Sequence, residues 1–356
     1  MNTTLTVALA TSALLTGACI ADYGDEMTAE FGADPAQDVI AEPDFEPSAE
    51  LVELPSDFAD QLPPEFGGQM PREFSGIAAD EDADLGGDDA SAERVAEFSS
   101  YQSGLAEVAK HGVHINSWQS VFNDITAAGY RLAWIDAYNA GSTAYVNAIF
   151  RPSNGYAWVA RHGMTGSQYQ TEFDIRTSQG YRLLHVDSYT QGGQIRYASI
   201  FTKQPGTSWV AYHGVSEASH QWLFNYYTSL GYRSVIASVV SSGGNRYVTA
   251  LFDKSYAGSW VALHAIPSYQ YQSTFNSQTA AGRKLHYLDA YVHNGTTYYS
   301  AVFKSASYGW WVARHGKSFW AYQTEWNTWT GAGYLTRLVT GHYNGGHYYA
   351  GLWTTN

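Results

Sequence analysis

The dipeptide His-Gly stands at His111, His162, His213 and His315, and His264-Ala265 fills the gap, so one step of 51 residues separates every member of the series. Other columns keep the same step. Gln119, Gln170, Gln221, Gln272 and Gln323 form one, and Gly129, Gly180, Gly231, Gly282 and Gly333 another. Phe122, Phe173, Phe224, Phe275 and Trp326 form an aromatic column. A period of this size marks a repeat architecture, in which one small unit cannot bury its apolar face alone and packs on copies of itself.

One unit can be read over residues 164–214. Thr165 is a helix N-cap and Gln168, three places on, completes a capping box. Tyr169, Phe173 and Ile175 follow as the apolar side of a short helix, which Gly180 ends in the left-handed conformation. Tyr181–Tyr189 is a strand, Gln191-Gly192-Gly193 a hairpin turn, and Gln194–Phe201 the returning strand. After Pro205-Gly206 comes a third strand, Ser208–His213. The unit is therefore predicted as a short helix plus a three-stranded antiparallel meander, in an α+β, β-rich fold.

The ends of the series sharpen the prediction. The last unit stops at Tyr348–Trp353, its second strand, while Leu105–Gly112 is a third strand with no unit of its own. An open array would leave exposed sheet edges at both ends. The offset predicts a closed, propeller-like toroid of five units over residues 99–356, closed by pairing of the N- and C-terminal pieces.

Residues 1–18 are uncharged, with apolar runs too short for a membrane span of about 20 residues, and read as a signal peptide. Leu15-Thr16-Gly17-Ala18-Cys19 resembles a bacterial lipobox, although its Leu lies one place further from Cys19 than usual. On that reading Cys19, the only cysteine, is lipidated and anchors the chain. The other reading is an ordinary signal peptide with an incidental Cys. The expected address is an outer-membrane or cell-surface lipoprotein, or a secreted protein. A single Cys excludes an intramolecular disulfide framework and Cys-based zinc clusters.

Charge divides the rest. Residues 20–98 hold 23 Asp and Glu against 2 Arg, whereas residues 99–356 hold 10 acids, 17 bases and all 12 His. The first stretch has scattered single Phe residues and cannot bury enough apolar surface to offset chain entropy, so 19–98 reads as a disordered acidic tether behind Cys19. Its acid-Phe pairs, Asp44-Phe45, Asp57-Phe58, Glu65-Phe66 and Glu73-Phe74, have the form of short docking motifs. The basic excess of the second stretch has no dense cluster, which argues against nucleic acid.

Trp158-Val159-Ala160-Arg161-His162-Gly163, followed by Tyr169-Gln170, Phe173 and Gly180-Tyr181-Arg182, resembles the bacterial tandem repeat family and the N-terminal half of fungal polyglycine hydrolases. The pattern recurs at Trp311–Gly316 with Tyr322-Gln323. The resemblance covers about residues 99–356 and implies a fold rather than an activity. In the polyglycine hydrolases the chemistry resides in a separate β-lactamase-like domain that needs Ser-x-x-Lys. No Lys of the repeat region has Ser three places before it, so the hydrolase activity does not carry over.

Within the repeats, five equivalent His could converge on a metal or an anion, or each could make a local bond to its unit's helix N-terminus or Gln. The second explains why every unit keeps both residues. Asp136, Asp187 and Asp289 share a column with Ser238 and Thr340, which points to hydrogen bonding rather than acid–base catalysis. Trp158, Trp209, Trp260 and Trp311 form a column that Glu107 completes at the chain's start. Most of the 48 aromatic residues beyond residue 98 belong to the core, but Tyr138, Tyr189 and Tyr291, beside polar turns, are predicted to be partly exposed platforms for a sugar or peptide. The expected function is a non-enzymatic binding module, monomeric, with no metal or cofactor, whose partner is a glycan, a peptide or an envelope protein. A scaffold for a partner protein is the alternative, and a hydrolase with an unrecognised site the third reading.

Overall fold

The computed structural model describes residues 71–74, 106–305 and 309–355. The segments read as a signal peptide and an acidic tether, with Cys19, lie outside the described residues apart from Pro71–Phe74. Each unit is strand, helix, strand, strand. The first is β2 (Val108–His114), α1 (Ile115–Ala127), β3 (Tyr130–Ala140) and β4 (Thr143–Pro152). The second is β5 (Trp158–Met164), α2 (Gly166–Ser178), β6 (Arg182–Gln191) and β7 (Gln194–Thr202). The third is β8 (Trp209–Ser216), α3 (Glu217–Ser229), β9 (Arg233–Ser242) and β10 (Asn245–Asp253). The fourth is β11 (Trp260–Pro267), α4 (Ser268–Ala280), β12 (Lys284–His293) and β13 (Thr296–Lys304). The fifth is β14 (Trp311–Ser318), α5 (Phe319–Gly331), β15 (Leu335–Tyr343) and β16 (His347–Thr354). A two-residue strand, β1 (Glu73–Phe74), precedes them.

The local signals read from sequence act as anticipated. Thr165 Oγ1 accepts from the Gln168 backbone N–H, and Gln168 Oε1 accepts in return from the Thr165 N–H. Gly129, Gly180, Gly231, Gly282 and Gly333 all take φ between 78° and 88° just past their helices, where a Cβ would be strained. Ile175 differs from expectation. It is exposed, because it lies two places from Phe173 and projects away from the sheet that Tyr169 and Phe173 cover.

The frame of the unit also differs. Each antiparallel sheet runs in the order β2-β4-β3, β5-β7-β6, β8-β10-β9, β11-β13-β12 or β14-β16-β15. The Trp-Val-Ala strand thus opens a unit instead of closing one: β8 pairs with β10, not with β7. The predicted meander is a hairpin plus a third strand that reaches the far side of the central strand through the helix. It follows that the terminal pieces do not share a sheet. The N-terminal strand β2 pairs with β4, and the C-terminal strand β16 lies between β14 and β15. Apart from the added strand β1, each sheet is built from contiguous chain, and no sheet pairs the N-terminal piece of the series with the C-terminal one.

Packing between units is repetitive. β3, β6, β9 and β12 each lie against the next in order, β12 lies against β15, and β15 lies against β3. The helix aromatic of one unit meets the first residue of the next unit's opening strand. Phe122 meets Trp158 at 6.1 Å between ring centroids, Phe173 meets Trp209 at 5.8 Å, Phe224 meets Trp260 at 5.9 Å, and Phe275 meets Trp311 at 5.7 Å. Between the fifth unit and the first, Glu107 takes the Trp position. Its buried carboxylate accepts from the Thr336 backbone N–H at 2.9 Å and from Thr336 Oγ1 at 2.6 Å, and it pairs with Arg151.

Candidate functional site

The last strand of each sheet, β3 and its equivalents, is an edge whose outward N–H groups have no partner in their own sheet. A buried N–H needs an acceptor. The polar column starting at Asp136 supplies one from the neighbouring unit. Asp187 accepts from the Ala137 N–H at 2.8 Å, Ser238 from Ser188 at 2.9 Å and Asp289 from Val239 at 2.7 Å. Thr340 accepts from Ala290 at 3.0 Å, and Asp136 accepts from Gly341 at 3.0 Å. The same bond therefore occurs at five junctions, including that of the fifth unit with the first.

Bringing the column together has an electrostatic consequence that the sequence reading did not foresee. One carboxylate oxygen from each of Asp136, Asp187 and Asp289 lies within 4.8 Å of the other two, all buried. Burial pushes the Asp136 carboxyl up to about 7, against the opposing hydrogen bonds from Asn147 and Gly341. Burial and then the neighbouring carboxylates raise Asp187 well above the carboxylate range, and Asp289 follows for the same causes. Among the described residues this is the grouping whose donor atoms could surround one ion, and all-oxygen donors suit a hard cation. Protons serve the same end, since a neutral acid removes the repulsion between neighbours. Spacing in the sequence held the signal: a shared column on edge strands converges wherever those strands meet.

The His column does not converge. Each imidazole sits against the helix of the unit before it. His162 Nε2 lies 3.0 Å from Gln119 Oε1, and His315 Nε2 lies 2.8 Å from Gln272 Oε1. His213 packs edge-on to Tyr169 at 4.7 Å, His264 edge-on to His220 at 5.1 Å, and His111 edge-on to Tyr322 at 4.8 Å. The bond anticipated inside a unit is thus made between units, because the His strand opens a new sheet while its face still touches the previous helix. The Gln amides also bind within their helices: Gln119, Gln170, Gln221, Gln272 and Gln323 each donate to the Asn or Asp four places on. Burial lowers the whole column, His111, His213 and His315 to about 4, so these imidazoles are neutral at pH 7 and serve as hydrogen-bonding wedges.

The three Tyr platforms are corrected. Tyr138, Tyr189 and Tyr291 are only 6%, 2% and 6% exposed. A neighbouring unit covers their rings, the first unit's core for Tyr189, the third's for Tyr291 and the fifth's for Tyr138, a contact invisible to a single-unit reading. Tyr138 Oη bonds Tyr349 Oη at 2.8 Å and His347 Nδ1 at 2.9 Å, and Tyr189 Oη accepts from the Gly163 N–H. The recess they line measures about 40 Å³, too small for a sugar ring. Open aromatics lie elsewhere. Tyr256 is 87% exposed, Trp320 76%, Tyr269 75% and Trp310 56%. Tyr269 and Trp320 hold the same position in the first turns of α4 and α5, where the other units have Asn116, Ser167 and Ala218. That shared column was legible in the sequence. A polar cleft of about 670 Å³ also opens near Thr165, lined among others by Gln168, Gln191, Gln194 and Arg196.

Residues 104–153, 155–204, 206–255, 257–306 and 310–356 match the family model described as the polyglycine hydrolase-like structural repeat. The chain belongs to this family. The matched stretches begin before the opening strand of each unit and end after its hairpin, so the polyglycine hydrolase-like repeat has the frame that strand pairing gives. No curated protein matches the chain. Among the described residues, no helix of this repeat protein is long and apolar enough to cross a membrane.

Proposed function

We propose that the protein is a non-enzymatic binding module, exported and held at the cell envelope, that grips a glycan or an extended peptide on aromatic side chains. The observation that carries this reading is the pair Tyr269 and Trp320, at one repeat position on successive helices and about three-quarters open to solvent. Rings this exposed are suited to stack on sugar faces or peptide groups, and Trp320 is steadied by its edge-on contact with Phe319 at 5.1 Å. Both polar columns, His and Asp, are occupied in joining units, which favours binding over catalysis. The Leu15–Cys19 motif and the acidic stretch behind it support a lipid-anchored or secreted address.

We further propose that the five units close into a propeller-like toroid. The junction of the fifth unit with the first supports this, since β15 lies against β3, Asp136 accepts from Gly341, and His111 lies against Tyr322 as the other four His lie against their helices.

The test is a screen of the full chain against a glycan array and isolated cell-wall polymers, read by tryptophan fluorescence. The expected result is saturable binding with a shift in emission, weakened at least tenfold by Trp320→Ala and by Tyr269→Ala. Binding that survives both substitutions would remove the aromatic pair from the site. No binding to any glycan, with a protein partner recovered by proximity labelling, would favour the scaffold reading.

A further inference from the structure

Part of the acidic stretch is seated on the repeat domain. Residues Glu73 and Phe74 add a fourth strand to the third sheet, pairing antiparallel with Val210 and Trp209 at the outer edge of β8. Two further contacts flank that pairing. The Pro71 carbonyl accepts from the Tyr227 hydroxyl at 3.0 Å, and the Arg72 guanidinium pairs with Asp174 on α2. The segment therefore runs between the second unit's helix and the third unit's edge.

Of the two side chains that flank the strand, Asp174 departs from a repeat column, and Tyr227 stands in a column that differs in every unit. Asp174 is the single acid in a column otherwise made of Asn123, Asn225, Asn276 and Asn327, and Tyr227 replaces Ile125, Arg176, Gln278 and Trp329. The seated segment is one of a short series too. Pro55-Ser56-Asp57-Phe58, Pro63-Pro64-Glu65-Phe66 and Pro71-Arg72-Glu73-Phe74 repeat at a step of eight residues, and only the third has a cation in its second place. The one Arg thus meets the one Asp.

We infer that the β8 edge, with Asp174 and Tyr227, is a strand-docking site that reads an extended peptide with Pro-Arg at its head, and that residues 71–74 of the same chain fill it. Backbone pairing along an open sheet edge supplies affinity without regard to sequence, and flanking side chains supply selectivity. Here Arg72 with Asp174 selects the third copy of the motif over the two before it, and Tyr227 fixes the strand's start by holding the Pro71 carbonyl. The site makes no use of Tyr269 or Trp320 and stands apart from the ligand proposed above.

The experiment uses the full chain and a full-chain variant with residues 71–74 replaced by Gly-Ser-Gly-Ser. Hydrogen exchange is read at residues 209–212, and a labelled peptide spanning residues 69–76 is titrated by fluorescence polarisation. The expected result is slower exchange at this edge in the natural chain, restored in the variant by added peptide. The peptide binds the variant more tightly than it binds the natural chain, whose own segment competes. A second peptide with Pro in place of Arg72 binds the variant more weakly, by about two- to fivefold for an exposed ion pair. Asp174→Asn, which restores the residue of the other four units, abolishes that difference. Equal exchange in the two full chains, or no peptide binding to the variant, would overturn the inference. So would equal affinity of the two peptides for the Asp174 site. A natural chain that pairs residue 72 with residue 174 of a second copy, seen by cross-linking and mass, would overturn its same-chain form.

Discussion

At the scale of single residues, the strand bulge beside the His column shows what the repeat demands. Pairing of the opening strand skips between residues 263 and 266 in the fourth unit, as it does at the equivalent place in the other four. The residue after His adopts φ near +60°, where Gly costs least. Ala265, at φ 60°, is the one non-glycine in that column. Ala265→Gly should therefore stabilise the protein by about 1 kcal/mol, since the strain of a left-handed alanine exceeds the added chain entropy. Chemical denaturation measures it, and a loss of stability would mean that the alanine methyl has a packing role. The dipeptide itself announced this requirement in sequence. The Tyr column gave no such warning: whether Tyr138 is platform or core depends on Tyr349, more than two hundred residues away, and no local pattern encodes that contact.

At the scale of elements, the five helices are alike in length yet differ at their starts. Thr165 caps α2 with a reciprocal box, whereas Ser318 at the head of α5 makes no side-chain capping bond. Thr165→Ala should cost about 1 kcal/mol, and Ser318→Ala close to nothing. Equal losses in thermal melts of the two variants would show that the free Ser318 hydroxyl finds the helix end in solution. Helices, strands and turns were readable from sequence because capping, glycine and alternation act over a few residues. The pairing partner of the Trp-Val-Ala strand was not. The six residues 203–208 between β7 and β8, with Pro205-Gly206, look like any hairpin connection. They lead instead to a new sheet, because Trp209 is needed by the Phe173 of the helix behind it and Val210 by the strand ahead.

At the scale of the whole molecule, junctions carry opposite charge requirements. Neutral imidazoles lie at one set and protonated carboxyls at another. His111, His185, His213, His315 and His342 are lowered by burial to about 4, and His220 to about 3. Against an unfolded value near 6.5, the unfolded chain binds more protons below that pH, so acid destabilises the fold from about pH 6.5 down to 4. The three Asp run the other way. Their folded values are raised, so their contribution is complete below the ordinary carboxylate range and is lost as pH rises through about 7 and above. The six His outnumber the three Asp in the range where both titrate, so the melting temperature should peak near pH 6.5 and fall on both sides. Asp289→Asn should flatten the alkaline limb and steepen the acid limb in calorimetric scans, since the proton held on Asp289 opposes the His between about pH 4 and 6.5. An alkaline limb untouched by this change would place the titrating groups elsewhere. The junction of last and first units rests on Glu107. Glu107→Ala takes the carboxylate from Arg151, which keeps the Thr336 carbonyl, and leaves the Thr336 N–H without its acceptor; it should cost about 3–5 kcal/mol as a broken buried pair does, read from denaturant melts.

Contiguity of each sheet has a genetic consequence. Since the spacing is constant at 51 residues, unequal crossing-over between two in-register points adds or removes a multiple of 51 codons and leaves the three-stranded sheet of every remaining unit whole, even when the crossover falls inside a strand. Copy number in a lineage of such genes is then limited by how the protein units meet one another, and not by the reading frame.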